Sequence, residues 1–108
     1  MSPAETPDGR YIVVAGRLWR ASDPRLAADV REGMVKQLME ARRAVRAALK
    51  ADDPKALRSA RSSVQAAKEA LGERGAVWWE DGAPDFNRRL IENSPYAEWW
   101  LGNGGDEN

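Results

Sequence analysis

The stretch Pro24–Gly72, PRLAADVREGMVKQLMEARRAVRAALKADDPKALRSARSSVQAAKEALG, decides the fold. Its apolar residues recur at Leu26, Val30, Met34, Leu38, Ala41, Val45, Ala48 and Leu49, then at Leu57, Ala60, Val64, Ala67 and Leu71. That spacing puts them on one face of a helix. Asp52-Asp53-Pro54 breaks the pattern, so the stretch predicts two helices folded back on each other. Ser22-Asp23-Pro24 offers a capping oxygen and a proline for a first turn, which places the first helix start between Pro24 and Ala27. Asp53-Pro54 repeats that signal for the second helix, and Gly72 suits its end. The first helix, about 24 residues at 1.5 Å each, would be about 36 Å long, with Gly33 as its weak point.

Alanine on the facing stripes lets the two axes approach closely but buries little area per residue, so the helical hairpin needs covering. The large apolar side chains lie in the flanks, at Trp19 before it and at Val77, Trp78, Trp79, Phe86, Leu90, Ile91, Tyr96, Trp99 and Trp100 after it. Tyr11–Arg20 (YIVVAGRLWR) has the β-branched and aromatic content of a β-hairpin around Ala15-Gly16. A two-residue loop pairs Val14 with Arg17, Val13 with Leu18, Ile12 with Trp19 and Tyr11 with Arg20. One face then carries Ile12, Val14 and Trp19, and the other Tyr11, Val13 and Leu18. Downstream, Val77-Trp78-Trp79 is expected to extend and join that hairpin, Asp81-Gly82 to turn, and Pro84–Glu92 to form a short helix with Phe86, Leu90 and Ile91 inward. A last helical turn is expected from Ser94-Pro95 through Trp100.

The expected fold class is α+β, mainly α: a long antiparallel helical hairpin, a small amino-terminal β-hairpin, and a tryptophan-rich carboxy-terminal segment packed on it. Residues 1–103 are expected to form a single domain, with 1–9 disordered, the β-hairpin at 10–21, the helical hairpin at 24–72 and the tryptophan-rich segment at 76–101. Residues 102–108 read as a disordered tail.

At 108 residues the chain has room for one modest core. It contains no cysteine and no histidine, which removes thiolate chemistry, disulfides and the commonest general base and metal ligand. No apolar run reaches the roughly 20 residues of a membrane span, and MSPAETPDGR lacks the pattern of a secretory signal. The expectation is a cytoplasmic protein without membrane insertion and without a cofactor. The formal net charge is +0, yet residues 25–50 carry seven basic against three acidic side chains, and residues 76–108 two against seven. Either the acidic part neutralises the basic helices or the helices present a basic face.

YIVVAGRLWRASDP at 11–24, ARRAV at 41–45 and LGERGAVWWEDGAPDFNRRLIENSPYAEWW at 71–100 together resemble a family of small uncharacterised bacterial proteins, some of which carry the label biopolymer transporter Tol. The similarity covers nearly the whole chain. It implies one small intact domain and leaves the activity open.

Three groups of residues could carry function. Asp81, Asp85, Asn87 and Arg88, beside Trp78-Trp79, bring carboxylates, an amide and a guanidinium into one polar cluster, where carboxylates could move protons and Arg could hold an anion. The competing reading gives them turn and backbone roles. Arg42, Arg46 and Lys50 repeat every fourth residue, and Arg58, Arg61, Gln65 and Lys68 follow a 3-4-3 spacing, so each set forms a basic ridge suited to phosphates or other anions, unless it is only a solvated face. Trp19, Trp99 and Trp100 are the candidates for a protein contact or self-association. These features favour a noncatalytic protein-binding or adaptor module. The alternative is a nucleic-acid-binding protein using the basic faces. The third reading is a small enzyme or ligand-binding protein using residues 80–88.

Overall fold

The computed structural model describes residues 4–102. Its elements are β1 (Ala4–Glu5), β2 (Tyr11–Val14), β3 (Arg17–Arg20), α1 (Ala28–Lys50), α2 (Pro54–Leu71), a 3-10 turn (Ile91–Asn93) and α3 (Ala97–Gly102). The fold is α+β and mainly α, with a long antiparallel helical hairpin and an antiparallel sheet of order β1-β2-β3. The described chain forms two compact units, one of Asp23–Trp78 and one that combines the residues before and after it.

In the helical unit, α1 runs 23 residues and α2 18 residues. Asp53 caps α2 through a bond from the Ala56 amide (3.0 Å), and Pro54 occupies the first turn, where its missing N–H costs nothing. Gly72 ends α2 in the left-handed conformation (φ 87°), and the Glu73 amide reaches back to the Lys68 carbonyl at 2.9 Å. The start of α1 differs from expectation. Asp23 spends its carboxylate on the Arg25 amide (2.9 Å) and guanidinium (3.0 Å), and the helix opens four residues after Pro24 with no side-chain cap at Ala27. Leu38, Ala67 and Leu71 are buried against Leu26, Met34, Val35 and Val64. Val30 and Leu49, which the spacing assigns to the inward stripe, are exposed.

In the sheet unit, the register is Tyr11↔Arg20, Ile12↔Trp19, Val13↔Leu18 and Val14↔Arg17, as the two-residue loop requires. Tyr11, Val13 and Leu18 face inward and are fully buried, whereas Val14 and Trp19 on the other face are exposed. Two corrections concern the flanks. Within the segment expected to be disordered, residues 4–9 are structured: β1 pairs Ala4 with Val13 and Glu5 with Ile12, and Thr6, Asp8 and Gly9 form the connecting turn. The expectations for residues 1–3 and 103–108 lie outside the described residues.

The second correction concerns Pro84–Glu92, which is not helical over residues 84–90 and reaches only the 3-10 turn at Ile91. Arg88 adopts φ 73°, Asp85 and Asn87 bond backbone groups, and the chain runs along the open edge of β3. Leu18 N–H donates to the Arg89 carbonyl (2.9 Å), Arg88 N–H to the Leu18 carbonyl (2.7 Å) and Ile91 N–H to the Gly16 carbonyl (2.9 Å). The edge addition expected of Val77-Trp78-Trp79 is therefore made by residues 88–91 instead. An unpaired strand edge must find partners for its amides and carbonyls, and this segment supplies them.

Candidate functional site

In the polar cluster Asp81, Asp85 and Asn87 are engaged through their side chains, and Arg88 through its backbone. Asp81 pairs with Arg10, whose guanidinium also lies 4.7 Å from the centre of the Trp79 ring, and accepts the Ala83 amide at 3.0 Å. The Arg10 hydrogen bond holds the Asp81 carboxyl below the usual carboxylate range. Asp85 accepts from the Tyr11 hydroxyl (3.3 Å), the Arg20 guanidinium (3.3 Å) and the Asn87 amide (3.0 Å). Asn87 Oδ1 accepts the Arg20 amide at 2.9 Å, the bond that replaces a ladder bond on the edge of β3. The Arg88 carbonyl accepts from the Arg17 guanidinium. These residues hold loops, and among the described residues no group of three or more acidic side chains could hold a metal ion.

Around them lies an aromatic interior. The Tyr11 ring meets Trp79 at 5.8 Å, Tyr96 at 5.7 Å and Phe86 at 6.4 Å, in edge-on or tilted arrangements. Burial pushes the Tyr11 hydroxyl up to about 12, while the Phe86 amide, donating to it at 2.8 Å, pulls the other way. Tyr96 donates to Asp8 at 2.6 Å. Burial acts to raise the Asp8 carboxyl, but the bonds from Tyr96 and Thr6 outweigh it and hold Asp8 below its ordinary range.

Of the three tryptophans proposed to meet a partner, Trp100 is buried (7% exposed) and is unavailable as it stands. Trp99 is half-buried against it, with ring centres 6.1 Å apart. Trp19 is exposed beside Val14. In the Trp78-Trp79 pair, Trp79 is buried and donates its indole N–H to the Ala83 carbonyl at 2.8 Å.

The basic residues are arranged differently. Arg42, Arg46 and Arg61 come together along one side of the helical hairpin, where with Val45, Val64, Gln65 and Arg74 they line a groove of about 560 Å³. Arg42 and Arg46 stand one turn apart on α1, and Arg61 and Gln65 one turn apart on α2. Val45 and Val64, assigned by spacing to the core, are half-buried and form part of the groove lining. Lys50, Arg58 and Lys68 do not line it. Arg74 was not among the sequence candidates. It joins the groove from the turn after α2, and its guanidinium donates to Gln65 Oε1 at 2.7 Å. The signal for it is Gly72, whose left-handed backbone turns the chain back toward the end of its own helix.

Four of the groove's lining residues are arginines, and no carboxylate is among the lining. A second groove between the same helices, about 450 Å³, is lined by Ala44, Ala47, Ala48, Ala51, Ala56 and Ala60 with Ser59, Ser63 and Asp53, and holds no basic side chain. The basic groove can therefore bind anions, and its two valines offer a small apolar contact beside them. Comparison with family models, curated proteins and solved structures finds no match, so the residues themselves carry the reading. Among the described residues, no helix is long and apolar enough to cross a membrane.

Proposed function

We propose that the protein is a noncatalytic, cytoplasmic binding module that engages an acidic segment of a partner protein through the arginine groove. The observation that carries this reading is the convergence of Arg42, Arg46, Arg61 and Arg74 around Val45 and Val64, with no acidic side chain in the lining. Guanidinium groups bind carboxylates bidentately, and apolar contact beside the charges adds affinity that salt does not screen. The acidic groups that suggested catalysis, Asp81 and Asp85, are held in bonds to Arg10, Arg20 and backbone amides.

The test is a titration of labelled acidic peptides against the full chain, read by fluorescence anisotropy. Binding is expected to weaken as salt rises and to fall severalfold in Arg42→Ala and Arg61→Ala. Acidic peptides that bind no better than neutral ones would overturn the reading.

The nucleic-acid alternative draws on the same observation, since paired arginines also suit phosphates. The groove lining contains no aromatic side chain on which a base could stack, which favours the protein partner. A gel shift at low salt decides between the two. The exposed Trp19 and Val14 offer a separate apolar contact for a partner or a second copy of the chain, which light scattering would reveal.

A further inference from the structure

The walls of the arginine groove restrict the backbone conformation of what can lie in it. Both walls are helices, whose amides and carbonyls bond within their own chain. Four of the seven lining side chains are arginines, which donate hydrogen bonds and accept none, and two are valines. The remaining one, Gln65, is the single side-chain acceptor of the lining, and its Oε1 already receives the Arg74 guanidinium at 2.7 Å. An extended peptide laid into this groove would bring backbone N–H groups to a surface short of acceptors, and each amide stripped of water without a new partner weakens binding. A helix brings its backbone bonds satisfied and presents only side chains.

The charge pattern agrees with that restriction. Arg42 and Arg46 are one turn apart on one wall, and Arg61 stands on the other with Val45 and Val64 also in the lining. A matching helix carries an apolar stripe for the valines, bordered on each side by carboxylates one turn apart. We infer that the partner segment of this groove is an amphipathic helix whose apolar stripe is flanked on both sides by Asp or Glu. The inference rests on the groove being the site of an acidic protein partner.

Three synthetic peptides of equal length test it against the full chain. One is a helix-stapled peptide with a leucine stripe flanked by glutamates four residues apart. The second has the same sequence with two central residues replaced by proline, and the third has every glutamate replaced by glutamine. Isothermal titration is expected to give at least tenfold tighter binding for the stapled helix than for the proline peptide, and no measurable binding for the glutamine peptide. Arg46→Ala and Arg61→Ala should weaken the stapled helix severalfold, and Arg58→Ala, outside the groove, should not. Equal binding of the helical and proline-broken acidic peptides overturns the helix while leaving the acidic partner standing. Failure of both acidic peptides to bind overturns both.

Discussion

The sheet unit and the helical unit solve the same problem, stability in a small volume, with opposite materials. The sheet unit packs Tyr11, Phe86, Trp79 and Tyr96 ring against ring and ties its loops with side chains bonded to backbone: Tyr11 to Phe86, Asn87 to Arg20, Trp79 to Ala83 and Ser94 to Tyr96. The helical unit buries mostly alanine and leucine, and its backbone bonds lie mainly within its helices and caps, with one from the Asp23 amide to the Leu71 carbonyl (2.8 Å) joining the segment before α1 to the end of α2. The long-range side-chain bonds of the first unit tie distant loops together, whereas the side-chain bonds of the second are local: Asp23 with Arg25, Asp53 with the Ala56 amide and Arg74 with Gln65. The carboxylates Asp81 and Asp85 are thus tied to Arg10, Arg20 and backbone amides, while Arg42, Arg46 and Arg61 line a groove that contains no acid.

A large effect is expected in the helical unit at Gly72. Gly72 has φ 87°, and a Cβ there would sit 3.0 Å from both Asp23 Cβ and Trp78 Cδ1. Gly72→Ala combines left-handed strain with two close contacts, and should cost about 3 kcal/mol or more. Hydrogen exchange resolved by peptide should show the loss concentrated in α1 and α2. An effect below about 1 kcal/mol would mean that the turn relaxes and that the hairpin does not depend on this glycine.

In the sheet unit the comparison predicts a measurable cost for losing one hydroxyl while its ring stays in place. Tyr11→Phe keeps the aromatic packing but strips the acceptor from the Phe86 amide and the donor from Asp85, at a cost of about 1–3 kcal/mol. The same group gives a pH signature. The Tyr11 hydroxyl is raised to about 12 in the folded chain, and Tyr96 is raised as well, chiefly by burial. A raised folded value means that this stability is complete below the ordinary tyrosine range, near pH 10, and is lost as pH climbs from there through the folded value. Tyrosinate absorbance should appear together with loss of protection in the sheet strands. Tyrosinate that forms near pH 10 with the strands still protected would contradict the burial of these hydroxyls.

The same contrast explains what could be read from the sequence. The two helices, the Asp53-Pro54 cap, the Gly72 stop and the strand register follow from local rules: periodicity, capping chemistry and a two-residue turn. Local rules predict a helix over Pro84–Glu92, but its conformation is set by the free edge of β3, a partner 65 or more positions away in the chain. Residues 4–9 look polar and loose by composition, yet β2 offers them an edge to pair with. Three of the groove's four arginines are legible, Arg42 and Arg46 by their spacing on the first helix and Arg61, with Gln65, by theirs on the second. Arg74 is not, because its place depends on how the chain leaves α2 and on the bond to Gln65.

A smaller effect is expected at the α2 cap. Asp53→Ala removes the oxygen that accepts the Ala56 amide, and capping losses of this kind cost about 1 kcal/mol. Chemical denaturation of the variant should show the shift, with exchange rising first in residues 54–57. The corresponding change at Asp23 tests the corrected start of α1: Asp23→Ala removes bonds to Arg25 alone, so exchange at the first turn of α1 should stay unchanged.

The smallest effect has the opposite sign. Gly33 lies inside α1, its φ is not in the left-handed region, and a Cβ built there meets nothing within 4 Å. Nothing in its surroundings requires a glycine, so the residue only adds freedom to the unfolded chain and lowers the propensity of the helix. Gly33→Ala should raise stability by about 0.5–1 kcal/mol and slow exchange in α1. The gain should be confined to the helical unit, because the sheet unit's protection comes from its own side-chain bonds. If Gly33→Ala instead destabilises the chain, the surface above this turn is filled by something that needs the space, and the first half of α1 becomes an interface to be mapped.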